Sequence, residues 1–324
     1  MSSETIAELG EIESLKRCVA RLNQSEFELV GSGDDSAVVS TTDNSFVVTT
    51  DTMIENHDFK LEWSNGYDLG WKAVATNLSD IAAMGAQPTA LVVAIALPGT
   101  LTVSWLEAFA DGLRDACQAL SPGVGVVGGD LASAEQVFIS VTAHGQLIGR
   151  EPVRRNGAQI GDQIAVGGTL GRAAAGLALL QSNNADAINA YDDWVNWQLR
   201  PQPPIHLGIA ASDAGATSML DISDGLAKDA SRIAKASAVT MQIDPMQLLG
   251  YEAVLEEAAR AIGASERDWV LFGGEDHSLL ATFPSDVQLP RGFKRIGTVL
   301  PQQPAAVTLD AQPLSEAGWD SIRG

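Results

Sequence analysis

The stretch NLSDIAAMGAQPTALVVAIALP, residues 77–98, changes character halfway along its length. Up to Met84 its small and apolar residues suit a closely packed helix, Gly85 and Pro88 mark the stop, and an uncharged, β-branched run fills 89–97. That run is far shorter than the about 20 residues needed to span a bilayer, so it reads as a strand buried on both faces. A helix leading into such a strand is the local signature of an α/β or α+β protein.

The same alternation extends in both directions. Upstream, FVVTT at 46–50 reads as a strand and 67–84 as the helix that Gly85 ends. Downstream, Ser104 stands three residues ahead of Glu107, a capping-box spacing, and Trp105, Phe109 and Leu113 recur at helical intervals as core positions. Strands are expected at 124–127 and 137–143. The segment GREPVRRNG, residues 149–157, is polar, basic and punctuated by Gly and Pro, which places a domain boundary there and divides the chain into 1–149 and 150–324. In the second half, strands are expected at 163–166, 218–221, 240–243, 278–283 and 294–299, with helices at 173–180 and 226–236. LRPQPP, residues 199–204, reads as a rigid internal connection.

Composition narrows the function. Among 324 residues, 41 Asp and Glu against 20 Lys and Arg give a formal charge of −21, which disfavours nucleic acid and anionic membranes as partners. Hydrophobic content of 45% supports a globular core. The two cysteines, Cys18 and Cys117, form no metal or disulfide pattern and fit a cytoplasmic setting. The acidic N-terminus lacks the features of a signal peptide. His144, His206 and His277 lack metal-site spacing and read as structural or solvent-facing.

The acids that end apolar or β-branched runs share a local style. Asp35 in SGDDS, Asp51 in VVTTDTM, Asp80 in NLSDIAAMGA, Asp130 in VVGGDLAS, Asp221 and Asp224 in LDISDG, and Glu275 with Asp276 in FGGEDHS mostly have Gly, Ser or Thr beside them. Carboxylates at strand ends that converge in space need hard cations to offset their repulsion, and Mg²⁺, which takes oxygen ligands and bridges carboxylates to phosphates, fits that need. The plainer reading makes each one a turn or cap acid; Asp224, before Gly225, could cap the following helix. No GxxxxGK[ST] occurs, and GVGVVGGD lacks the strand-then-helix context of a dinucleotide fingerprint. GGTLGRAAAG, residues 167–176, is open to two readings: an anion cradle at a helix N-terminus, or a tight strand-to-helix corner.

In this order, GDDSAVV, TTDTM, NLSDIAAMGA, GGD, the Arg before NGAQIGD, LDISDG and GGEDHSLL resemble the thiamine-monophosphate kinase family, within the superfamily that includes aminoimidazole ribonucleotide synthetase, selenophosphate synthetase and a hydrogenase maturation factor. The resemblance runs from Gly31 to the GWD at 318–320. It implies a two-domain aminoimidazole ribonucleotide synthetase-like fold of α/β (α+β) class, whose N-terminal halves pair in a homodimer. Residues 1–149 would bind ATP and metal and dimerise, and residues 150–324 would complete the active-site cleft. The implied reaction transfers the γ-phosphoryl group of ATP to thiamine monophosphate.

Carried over motif by motif, the resemblance makes Asp35, Thr49, Thr50, Asp51, Asp80, Asp130, Asp221 and Asp224 ligands of several Mg²⁺ ions, with Asp51, Asp130 and Asp224 the catalytic carboxylates. Asp34 becomes a turn-former or outer acid. Gly129, Asp130, Arg155 and Ser223 would contact ATP, Arg154 competing with Arg155 for its role. Glu275 and Trp319 would contact thiamine monophosphate, together with Asp58 or, if the loop shifts by one residue, His57. Other readings are another ATP-dependent enzyme of the same superfamily, or a non-catalytic protein that binds divalent cations.

Overall fold

The computed structural model describes residues 4–30, 38–43 and 45–319. Asp34 and Asp35 therefore lie outside the described residues. Contacts divide the chain into two compact units, Met1–Ile81 with Ala86–Gly149, and Ala82–Gly85 with Arg150–Gly324.

In the first unit, α1 (Ile6–Leu9) and α2 (Glu11–Val19) precede the short strands β1 (Glu28–Val30) and β2 (Val38–Val39). Then follow β3 (Val47–Ile54), α3 (Gly66–Ala83), β4 (Gln87–Leu97), α4 (Val103–Leu120), β5 (Gly125–Ser133) and β6 (Phe138–Gln146). Four of these strands form a sheet in the order β3-β6-β4-β5. The β4–α4–β5 segment is a crossover between parallel neighbours, and the other pairings are antiparallel. Leu78 and Ile81 of α3, Leu91 of β4, Ile139 and Val141 of β6, and Phe109 and Leu113 of α4 are buried together in its core. The stretch at 77–98 is thus helix, tight stop and buried strand, as its pattern requires.

One expected start is displaced. Helix α4 is capped not through Ser104 but by Thr102, whose extended backbone lets its hydroxyl accept the Trp105 amide at 3.2 Å. The cap sits two residues earlier because Val103 already lies in the helix, so the Ser104 hydroxyl pairs with that of Thr102 instead. Trp105 is only half-buried and stacks on Phe109, while Leu106 takes the buried place.

The second unit holds β7 (Gln163–Gly167), α5 (Arg172–Ser182), α6 (Ala185–Ala190), α7 (Asp192–Leu199), α8 (His206–Asp213), β8 (Ser218–Ile222) and α9 (Leu226–Ser237). It continues through β9 (Val239–Ile243), α10 (Pro245–Glu252), α11 (Glu256–Ile262), α12 (Glu266–Phe272), β10 (Ser278–Phe283), β11 (Phe293–Pro301), β12 (Val307–Leu309) and β13 (Gln312–Pro313). Its seven strands run in the order β13-β12-β9-β11-β7-β10-β8. Ile164, Leu220, Leu280 and Ile296 of the sheet pack with Leu226, Ala230 and Ile233 of α9. A mixed sheet covered by helices in each unit makes the chain α/β in the broad sense. Among the described residues, no helix is long and apolar enough to cross a membrane.

Candidate active site

Strand β3 carries Thr49, Thr50 and Asp51, and its alternation divides them. Val47, Thr49, Asp51 and Met53 lie on the more covered face, while Val48, Thr50, Thr52 and Ile54 are exposed. Thr49 donates its hydroxyl hydrogen to Asp80 Oδ2 at 2.9 Å, which brings β3 and α3 together at two of the expected ligands. Thr50 bonds to the Val141 carbonyl at 2.9 Å. Asp130 aligns through Ala94 and Ser140 with Thr52, so the pleat puts it on the face of Thr50, opposite Asp51.

Gly129 and Asp130 line a cavity of about 970 Å³ together with Phe46, Val92 and His144. Gly129 also has a structural reason to be glycine: a Cβ there would stand 2.1 Å from the Val93 carbonyl oxygen across the sheet.

In the second unit, two loops run side by side. β8 ends at Ile222 and the chain continues through Ser223 and Asp224 into α9; alongside it, Gly273 to His277 leads into β10. The Glu275 amide donates to the Ser223 carbonyl at 2.9 Å and the His277 amide to that of Ile222 at 3.1 Å. The Trp319 amide reaches the Asp224 carbonyl at 3.0 Å. Backbone bonds thus bring the segments bearing Ser223 and Asp224, Glu275, and Trp319 side by side, although they are distant in sequence.

Of its two expected readings, His277 takes the structural one. It is buried, and its Nδ1 lies 3.1 Å from Oδ2 of Asp221, also buried, on the adjacent strand.

Asp224 does not cap α9. Its carboxylate pairs with Lys228 at 3.1 Å and with Arg232, while the N-cap position falls to Gly225. Asp229, inside the helix, accepts the amides of Asp224 and Gly225 at 2.9 and 3.1 Å. Burial pushes Asp229 up to about 7, against the opposing charge of Arg232. The sequence signal for this role was an acid in a first helical turn.

The glycine-rich corner before α5 has its own anion. Asp276 is buried and accepts the Thr169 hydroxyl hydrogen at 2.9 Å, with the amides of Gly171 and Ala173 favouring its charged form. Burial outweighs them and raises it to about 6. The corner therefore accommodates a carboxylate of this chain where an external anion was one reading.

Both arginine candidates are exposed. The Arg155 carbonyl accepts the Ser237 hydroxyl hydrogen, whereas Arg154 lines a cavity of about 420 Å³ with Arg150, Asn156 and Thr217. Asp58 builds a turn: Oδ2 accepts the Ile54 amide at 2.7 Å and Oδ1 lies 3.0 Å from His57 Nδ1.

Among the described residues, no group of three or more His, Cys, Asp or Glu is gathered to hold a metal ion. What they do offer is oxygen: Thr49 with Asp80, the buried Asp221, and Asp224. That donor chemistry suits Mg²⁺ rather than a softer ion. Cys18 and Cys117 are unpaired, with burial raising each thiol to about 12, so neither is poised as a nucleophile.

Residues 33–147 match the family of AIR synthase related proteins, N-terminal domain. A thiamine-monophosphate kinase of Mycobacterium tuberculosis is 42% identical over 321 residues, covering 99% of this chain and 94% of the relative. Among solved structures, the thiamine-monophosphate kinase of Stenotrophomonas maltophilia K279a aligns with TM-score 0.80 and 33% identity, over 94% of this chain and 98% of that one. AaThiL complexed with AMPPCP and TMP aligns with TM-score 0.78 and 31% identity, over 96% and 97%. Likeness of this extent, in sequence and in fold, makes this protein an enzyme of the thiamine-monophosphate kinase family.

Proposed function

We propose that the protein transfers the γ-phosphoryl group of ATP directly to the phosphate of thiamine monophosphate, giving thiamine diphosphate and ADP in a cytoplasmic setting. The observation that carries this reading is the backbone bonding that sets the segments of Ser223 and Asp224, Glu275 and Trp319 side by side, in a chain alike over 96% of its length to a protein complexed with AMPPCP and TMP.

Phosphoryl transfer asks a protein for positioning and charge neutralisation rather than for a covalent nucleophile. Thr49, Thr50, Asp51, Asp80 and Asp130 of the first unit, and Asp221 and Asp224 of the second, would hold Mg²⁺, with Asp35 outside the described residues. Bound there, Mg²⁺ would supply charge neutralisation on the phosphate oxygens. Asp51, Asp130 and Asp224 are the carboxylates assigned to the catalytic ions. Gly129 and Ser223 would bind the nucleotide through backbone and hydroxyl groups, Arg155 or Arg154 through a guanidinium. Glu275 would place a negative charge beside the cationic thiamine moiety, and Trp319, 37% exposed, presents an aromatic face for stacking on its rings.

The N-terminal halves would pair as a homodimer. The exposed face of β3 and β6 sets Ile54 directly across from Phe138, with Val48 and Phe46 nearby in sequence, all four exposed.

Incubation with ATP, Mg²⁺ and thiamine monophosphate, with chromatography of the products, tests the reading. Equimolar thiamine diphosphate and ADP are expected, and neither without Mg²⁺. ADP release without thiamine diphosphate would overturn the assignment of the acceptor.

A further inference from the structure

Helix α7 delivers a buried amide to the loop that bears Glu275. The helix lies tightly on α5, where a Cβ at Gly176 would stand 2.1 Å from the Trp194 carbonyl oxygen. Arg172, the first residue of α5, sits over both α7 indoles, 5.3 Å from the Trp194 ring centre and 4.5 Å from that of Trp197. These contacts fix α7 in place against α5. Gln198, 5% exposed, donates from Nε2 to Glu275 Oε2 at 2.6 Å. Its Oε1 is buried without a hydrogen-bond partner among the described residues, so the bond to Glu275 sets the orientation of the amide.

The receiving loop is strained. Glu275 has φ 66° and His277 φ 50°, left-handed backbone that side chains of this size adopt only where their surroundings hold them. Such strain concentrates at ligand-binding positions. A glutamine donor also has a particular electrostatic effect: it anchors a carboxylate without cancelling its charge, whereas Arg or Lys in its place would neutralise it.

We propose that Gln198 is a positioning residue for substrate recognition, holding the Glu275 carboxylate in place for a cationic, amino-bearing heteroaromatic substrate. The inference rests on the function proposed above and extends it to a residue that no motif marks.

Kinetics of Gln198→Met, close in size to the native residue, test it. KM for thiamine monophosphate should rise about tenfold, the scale of one lost charge-assisted hydrogen bond, while kcat and KM for ATP stay within about twofold. In a Glu275→Ala background the same change should have no further effect, because Gln198 acts through that carboxylate. Gln198→Glu, isosteric but of like charge, should raise the same KM further, with thermal unfolding of every variant recorded beside it. An unchanged KM in both Gln198 variants, or an equal effect with and without Glu275, would overturn the proposal. Should the wild-type protein itself form no thiamine diphosphate, the functional reading falls before any variant is compared.

Discussion

His277 Nδ1 lies 3.1 Å from Asp221 Oδ2; both side chains are buried, Asp221 on β8 and His277 at the end of the loop that leads into β10. Leu279 pairs with Asp221, and His277, two residues before it and held in left-handed backbone at φ 50°, turns its ring to the same carboxylate. If Asp221 holds Mg²⁺ as proposed, a ring that orients its carboxylate should matter to the ion more than to the nucleotide. His277→Phe, which keeps the bulk and removes the nitrogen, should raise the Mg²⁺ concentration for half-maximal activity about tenfold or more. An unchanged Mg²⁺ titration would show that His277 serves packing alone.

The turn after β3 separates two residues that sequence alone leaves as alternatives. Asp58 spends one carboxylate oxygen on the Ile54 amide and the other on His57, in a turn where Asn56 has φ 66°. Asp58→Ala should therefore cost about 1 kcal/mol of stability, typical of a lost local cap, and so lower the melting temperature along with activity. His57→Ala should leave stability nearly unaltered and raise KM for thiamine monophosphate if its ring faces the substrate. Steady-state kinetics and thermal unfolding on the two variants separate these outcomes; a stable Asp58 variant with a raised KM would reverse the assignment.

Asp276 gives a pH signature of stability. Burial raises it from 3.8 to about 6, so the folded chain keeps its proton where the unfolded chain has lost it. The stabilisation from burying the neutral acid is full below the unfolded value and fades as pH rises through the folded value. Stability should therefore fall between about pH 4 and pH 6, by no more than about 3 kcal/mol. Asp276→Asn should flatten that segment of the profile in chemical denaturation measured across pH. A slope of the same size in the variant would assign it to another group, with Asp229 the next to examine.

The acid-bearing elements were legible because their patterns are local. The helix-stop-strand order at 77–98 appears as its pattern requires, and strands form at the runs that reach Asp51 and Asp221, although β3 continues past Asp51 to Ile54. Helix α7 was not legible: DDWVNWQL mixes aromatic and polar residues without a clean apolar stripe, and only its packing on α5 makes it a helix of consequence. Gln198 could not be found from sequence for the same reason, its partner lying 77 residues away. The cap of α4 shifted to Thr102 because two hydroxyls compete there and backbone conformation decides between them. Nor can spacing along β3 show that the pleat sends Asp51 and Asp130 to opposite faces of the sheet; that depends on a register set by β6 and β4.

That division bears on the proposed dimer. Thr50, Thr52 and Asp130 share a face with Val48 and the Ile54–Phe138 pair, and Val48 is 54% exposed, so an apolar surface and an expected catalytic acid look the same way. If a second copy covers this face, a charge introduced at Val48 should separate the copies and lower activity together, since Asp130 would lose the environment that pairing creates. Val48→Asp should elute as a monomer in size-exclusion chromatography with light scattering, keep its secondary structure by circular dichroism, and lose most of its turnover. A monomeric variant with full activity would show that the catalytic acids work without the partner, and a wild-type monomer would remove the dimer altogether.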